Sequence, residues 1–113
     1  MRTIPVIGMG VAMTLAILGH LVEILVFAVA LQWMVADGRF GGLSGDVQQG
    51  MRDYFYYSAI TYTSLGFGDV APTGALRLLA AVEAITGLVL IAWTASFAFL
   101  AMQNLWEKHH GES

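Results

Sequence analysis

The sequence predicts an all-α membrane protein: two transmembrane helices with a shorter, re-entrant helix between them. Three observations carry this. Two apolar segments, 4–36 and 75–106, each exceed the ~20 residues needed to cross a bilayer core. Between them lies an aromatic stretch, 51–63, of helical length but too short to span. The chain of 113 residues is also 58% hydrophobic and only 12% charged, well below the roughly one-quarter of a soluble domain. A water-soluble monomer has no means of hiding that much apolar surface.

The elements follow in order within one domain. Residues 4–36 are interrupted only by His20, Glu23 and Gln32, and their length implies tilt or projection beyond the hydrocarbon. Ala28-Val29-Ala30 has the form of a signal cleavage site, but the apolar run far exceeds the roughly 7–15 residues of a signal h-region. Residues 37–50 hold five glycines among polar residues and read as an exposed loop. The stretch 51–63 contains Tyr54, Phe55, Tyr56, Tyr57, Ala59 and Ile60, with Asp53 near its start, where a carboxylate suits the positive end of a helix dipole. Pro72 punctuates the return, and 75–106 is interrupted by Arg77, Glu83 and Gln103. Two spans put both termini on one side. Arg2 and Lys108 near those ends favour the cytoplasm by the positive-inside rule, opposed by Arg39 and Arg52 in the central loop. Trp33 and Trp106 lie near span ends, where aromatic belts form and where ordinary lipid or protein contacts serve equally.

Composition also excludes functions. With five Lys/Arg against eight Asp/Glu, no basic patch is available to neutralise phosphates, so no nucleic-acid partner is expected. The absence of cysteine removes disulfides and thiolate metal sites. His20 and Glu23 sit inside an apolar segment and no nucleophile accompanies a base, so an enzyme is not expected.

The most specific motif is Thr61-Tyr62-Thr63-Ser64-Leu65-Gly66-Phe67-Gly68-Asp69. Non-helical backbone at membrane depth survives only where protein buries it or where it lines a water-filled cavity. Gly66 and Gly68, alternating with larger residues, permit the positive φ that turns successive carbonyls to one side. A glycine-rich phosphate loop is a poor alternative, because such a loop follows a buried strand and opens a helix. The motif resembles the potassium-channel signature T-x-T-T-V-G-Y-G-D. The resemblance extends over nearly the whole chain, to the two-transmembrane pore module of potassium channels: first span 4–36, extracellular turret 37–50, pore helix 51–63, selectivity filter 64–69, inner helix 75–106.

The resemblance implies a homotetramer, since one strip cannot encircle an ion. The partners expected are three further copies, membrane lipid and monovalent cations, in the cell membrane with both termini cytoplasmic. No cofactor is implied beyond bound potassium ions, held at Ser64, Leu65, Gly66 and Phe67, with Gly68 closing the filter. Asp69 falls at the pore mouth, where it concentrates cations. Pore-helix C-termini favour a cation at mid-membrane. Three positions depart from the commonest filter: Ser64 for Thr, Leu65 for Val and Phe67 for Tyr. Phe67 lacks the phenol that in many relatives bonds to pore-helix aromatics, here Tyr56 or Tyr57. These departures bear on selectivity. A potassium-preferring channel is therefore read beside a non-selective monovalent cation channel, or a non-conducting regulatory or scaffold subunit.

Ionisable residues within spans are functional candidates. Glu83 is expected to support the filter from behind through Thr61, Tyr62 or strip amides, with Tyr57 beside it. His20 and Glu23, three apart, share a helix face and are read as a pH-sensitive gating pair or as ordinary interhelical hydrogen bonds. Gly87 falls where relatives carry a hinge glycine; a site of close helix approach is the other reading. Thr94, Ala95, Ser96, Ala98, Phe99 and Met102 are candidates for the inner pore, Phe99 and Met102 for a constriction that gates by dewetting.

Overall fold

The computed structural model describes residues 3–48 and 50–110. Its elements are α1 Thr3–Asp37, β1 Leu43–Gly45, α2 Met51–Tyr62, β2 Val70–Pro72 and α3 Leu76–His110. The two long helices and the short one between them match the sequence expectation. Arg2 and the side chain of Lys108, on which the charge argument for orientation rests, lie outside the described residues.

Both long helices have 35 residues, about 52 Å at 1.5 Å per residue. Their apolar windows are only 17% and 6% buried. That excludes the core helix of a soluble protein and leaves apolar flanks that demand lipid or other subunits. Ala28, in the triplet resembling a cleavage site, is fully buried within the unbroken α1. The carboxylate of Asp37 stands at the unfavourable, negative end of the α1 dipole. Arg39 offsets it through two hydrogen bonds of 2.7 and 3.1 Å, and the carboxylate holds the guanidinium above its ordinary value.

The loop expected over 37–50 contains a strand. β1 pairs antiparallel with β2 in the register Leu43↔Pro72, Ser44↔Ala71, Gly45↔Val70. Leu43 and Val70 are buried, so this two-stranded ribbon packs onto the core. Three-residue strands carry too little alternation to be read from sequence, and Pro72 is tolerated because the ribbon has only edges.

The hydrophobic core comprises Ala28, Leu31, Leu43, Tyr54, Tyr57, Ile60, Val70 and Leu76. It draws on the C-terminal half of α1, on α2 and on the start of α3. The short helix is thus wedged between the long ones at one end of the molecule. Asp53 lies in its first turn and accepts a 2.7 Å hydrogen bond from the Gln48 amide, as its position at the positive dipole end requires.

Candidate functional site

α2 ends at Tyr62, and the chain leaves it as an irregular strip. Ser64, Gly66 and Gly68 have φ of 61°, 49° and 83°. Positive φ therefore recurs at every second residue, with Leu65 and Phe67 between in ordinary backbone. Sequence reasoning anticipated the two glycines and missed Ser64, a residue type that rarely adopts this conformation. The helix end explains it. The Ser64 amide bonds to the Thr61 carbonyl at 3.0 Å and the Gly66 amide to the Ile60 carbonyl at 3.0 Å, a left-handed helix cap with serine where glycine is usual. Ser64 both stops the helix and begins the strip. The conformation costs about 1–3 kcal/mol, a form of strain that concentrates at functional sites. Residues 63–69 are all exposed in the single chain, Leu65 at 60% and Phe67 at 66%.

The outer end of the strip is fastened at two points. The Tyr56 hydroxyl donates to Asp69 at 2.8 Å, and the Asp46 amide of the turret donates to the Asp69 carbonyl at 2.9 Å. Phe67 has no phenol to offer, and Tyr56 bonds to Asp69. Tyr57 is buried within the core.

Behind the helix, Glu83 is 3% exposed and accepts a hydrogen bond from the Ser58 hydroxyl, itself fully buried. This corrects the expected partners: Glu83 holds the body of α2 through Ser58, not through Thr61, Tyr62 or the strip amides. Ser58 lies a full turn before Tyr62 and so faces α3 where the helix body packs.

His20 and Glu23 do meet, at 3.3 Å, but not as an isolated pair. The Tyr62 hydroxyl donates to the Glu23 carboxylate. Its oxygen lies 2.8 Å from His20 Nδ1, and His20 Nε2 lies 2.9 Å from the Thr94 hydroxyl. Tyr62 has spent its proton on Glu23, so Nδ1–H donates to Tyr62 and Nε2 accepts from Thr94. Four side chains from three helices thus form one network. Tyr62 was visible in the sequence as a motif position and as an expected partner of Glu83, and Thr94 as a pore-lining candidate. Neither signalled its partner, because the contacts join residues 42 and 74 apart.

Gly87 is buried. A side chain there would meet the Tyr62 backbone, with the Tyr62 carbonyl carbon 2.7 Å and Cα 3.0 Å from an added Cβ, and the carbonyl oxygen nearer still. The close-approach reading therefore describes this glycine, which lets the end of α2 seat against α3.

A family model described as "Ion channel" matches residues 19–104, most of the chain and every feature above. The protein belongs to this ion-channel family. No match came from the comparison with curated proteins or from that with solved structures. Family membership makes it a two-transmembrane membrane channel and gives it transport rather than catalysis.

Along its C-terminal half, α3 presents two different faces. Thr94, Ala98 and Ala101 are half-buried at helical spacing and line the space against α1. Ala95, Phe99 and Met102, at i, i+4 and i+7, form a separate exposed stripe.

Proposed function

We propose that the protein is a potassium-preferring, homotetrameric cation channel, conducting passively through the backbone carbonyls of residues 64–68. The observation that carries this reading is the repeat of positive φ at Ser64, Gly66 and Gly68 in an exposed strip launched from a helix too short to cross a membrane. Alternating left- and right-handed residues bring successive carbonyls to one side of the strip. Four such strips around an axis make a ladder of oxygen cages for a dehydrated cation. The apolar flanks of α1 and α3 would face lipid and neighbouring subunits. The exposed Ala95–Phe99–Met102 stripe would line the inner pore, and both termini would lie in the cytoplasm.

Potassium ions are the cargo, held transiently at Ser64, Leu65, Gly66 and Phe67. Asp69 at the mouth would raise their local concentration. Phe67, in place of the commoner tyrosine, favours a second reading as a non-selective monovalent cation channel.

The test is flux from liposomes containing the purified protein, with potassium inside, sodium outside and barium as blocker, together with bi-ionic reversal potentials. Barium-sensitive, potassium-driven flux and a large shift on exchanging the ions support the reading. A near-zero shift assigns the non-selective channel. Absence of flux from a protein that does not assemble as four copies assigns the non-conducting subunit.

A further inference from the structure

We propose that His20 is a positioning residue for the filter, acting through Tyr62, and that its protonation changes conduction. This rests on the pore reading above and adds to it a residue of α1 that meets the last residue of the pore helix.

The argument begins with depth. His20 is the central residue of the 35-residue α1, and Thr94 lies one residue past the centre of the 35-residue α3. Tyr62 bonds to His20 and Glu23 of α1, and its link to Thr94 of α3 runs through the imidazole. The last residue of α2 is therefore held at the middle of both spans, where water is scarce and an unsatisfied polar group is most costly. A histidine and a glutamate at that depth mark function by default. Tyr62 is fully buried and is followed directly by Thr63 and Ser64, where the strip begins. Any shift of its ring is passed to the first carbonyls of the filter through two residues. Gly87 packs against the same Tyr62 backbone, so the side chain and main chain of this residue are gripped from opposite helices.

The network is also one that a single proton rewires. With neutral imidazole, Nδ1–H donates to Tyr62 and Nε2 accepts from Thr94. An added proton on Nε2 turns the acceptor into a donor. Thr94 then receives a bond and must send its own proton elsewhere, the carbonyl four residues back on α3 being the local acceptor for a helical threonine. The imidazolium at the same time forms an ion pair with Glu23, 3.3 Å away. The groups facing His20 are Glu23 from α1, Tyr62 from α2 and Thr94 from α3. Of these Glu23 and Tyr62 carry ionisable groups, and Glu83 of α3 is the buried carboxylate that bonds to Ser58 on the same short helix. In the single chain the imidazole is 18% exposed and Glu23 40%, and both line one end of a cavity of about 450 Å³ between α1 and α3.

The experiment is reversal potential and open probability in planar bilayers between pH 5 and 8, for the full chain and for His20→Gln, Tyr62→Phe, Thr94→Val and Glu83→Gln. Expected are a pH-dependent open probability in the original protein, a flat profile in His20→Gln and a retained profile in Glu83→Gln. Tyr62→Phe should lower the potassium-over-sodium permeability ratio about tenfold, the scale of one hydrogen bond to a charged group. Thr94→Val, nearly isosteric, decides the matter if His20→Gln does not assemble: a displaced profile is expected. A wild-type profile in His20→Gln or Thr94→Val, a flat profile in the original protein, or a wild-type permeability ratio in Tyr62→Phe overturns the proposal while leaving the pore intact. Absence of current from the original protein at every pH overturns the pore reading with it.

Discussion

Substituting Gly87 by alanine separates two accounts of this residue. As a hinge, Gly87 matters for how α3 bends, and alanine would stiffen the helix while leaving the filter alone. As a seat for Tyr62, it matters for where the pore helix ends. The added Cβ would stand 2.7 Å from the Tyr62 carbonyl carbon, about 1 Å inside the 3.5–4.0 Å optimum for carbon pairs. The neighbour is backbone at the end of a packed helix, so it cannot swing aside as a side chain does. Overpacking of this kind costs about 1–3 kcal/mol, against a gain of about 1 kcal/mol from replacing glycine in a helix interior. The expected net is destabilisation of about 1 kcal/mol, with the start of the filter pushed from its place. The assay is thermal unfolding in detergent paired with the bi-ionic reversal potential. Lower thermal stability is expected and, on the proposed reading, a reduced potassium preference. A stability gain of about 1 kcal/mol with an unchanged reversal potential, the result of helix propensity alone, would refute the seating argument.

Three further outcomes follow from the same geometry. Ser58→Ala should destabilise the protein by about 1–3 kcal/mol in thermal unfolding, because it removes the hydroxyl that serves the buried Glu83 carboxylate; Glu83→Gln, which keeps a partner for Ser58, should cost less. Tyr56→Phe should leave global stability within about 1 kcal/mol, the bond to Asp69 being exposed, and should speed amide hydrogen exchange over residues 66–71; unchanged exchange would show that the turret ribbon alone holds the filter mouth. Alanine at both Phe99 and Met102, neighbours on the exposed stripe of α3, should raise open probability if that stripe forms a dewetting gate, and wild-type single-channel behaviour would count against it.

Much of the fold was legible because its signals are long or spaced. Two apolar runs, a short aromatic helix and two alternating glycines are local features, and the helices lie where those features put them. The ribbon between β1 and β2 was not legible, since three residues show no period and its partner is 27 residues away. The site was half legible. His20 and Glu23 share a helix face, and that contact could be read from i,i+3 spacing. What they hold could not, because Tyr62 and Thr94 come from other helices and neither residue type is unusual in its own segment. For Glu83 the sequence pointed to the short helix but to the wrong residues: its partner is Ser58 on the helix body, and the register that selects Ser58 over Thr61 depends on how closely Gly87 lets the helices approach. Ser64 shows a different limit. Its left-handed backbone follows from ending a helix and starting the strip at one position, a conflict of local and tertiary demands that serine's own preferences do not record.

The substitution of phenylalanine at position 67 gains a physical context from these contacts. A tyrosine there offers a hydroxyl with which to brace the strip directly against pore-helix aromatics. In this chain polar fixation lies elsewhere: Tyr56 to Asp69 at the mouth, Ser58 to Glu83 along the helix body, and Tyr62 to His20 and Glu23 at its inner end. All three involve the short helix: the first ties it to the strip at Asp69, and the other two tie it to the spans. On the proposed reading, the geometry of the carbonyl ladder is then inherited from where the pore helix sits between the two spans. Forces applied to α1 or α3 reach the filter through Ser58 and Tyr62. A strip braced through its own side chains would be insulated from such movements, and one hung from its helix is exposed to them. Among the described residues the two long helices carry a single arginine, Arg77 in the first turn of α3, and on the proposed reading span movement and protonation at mid-membrane are the inputs to which this arrangement is best matched.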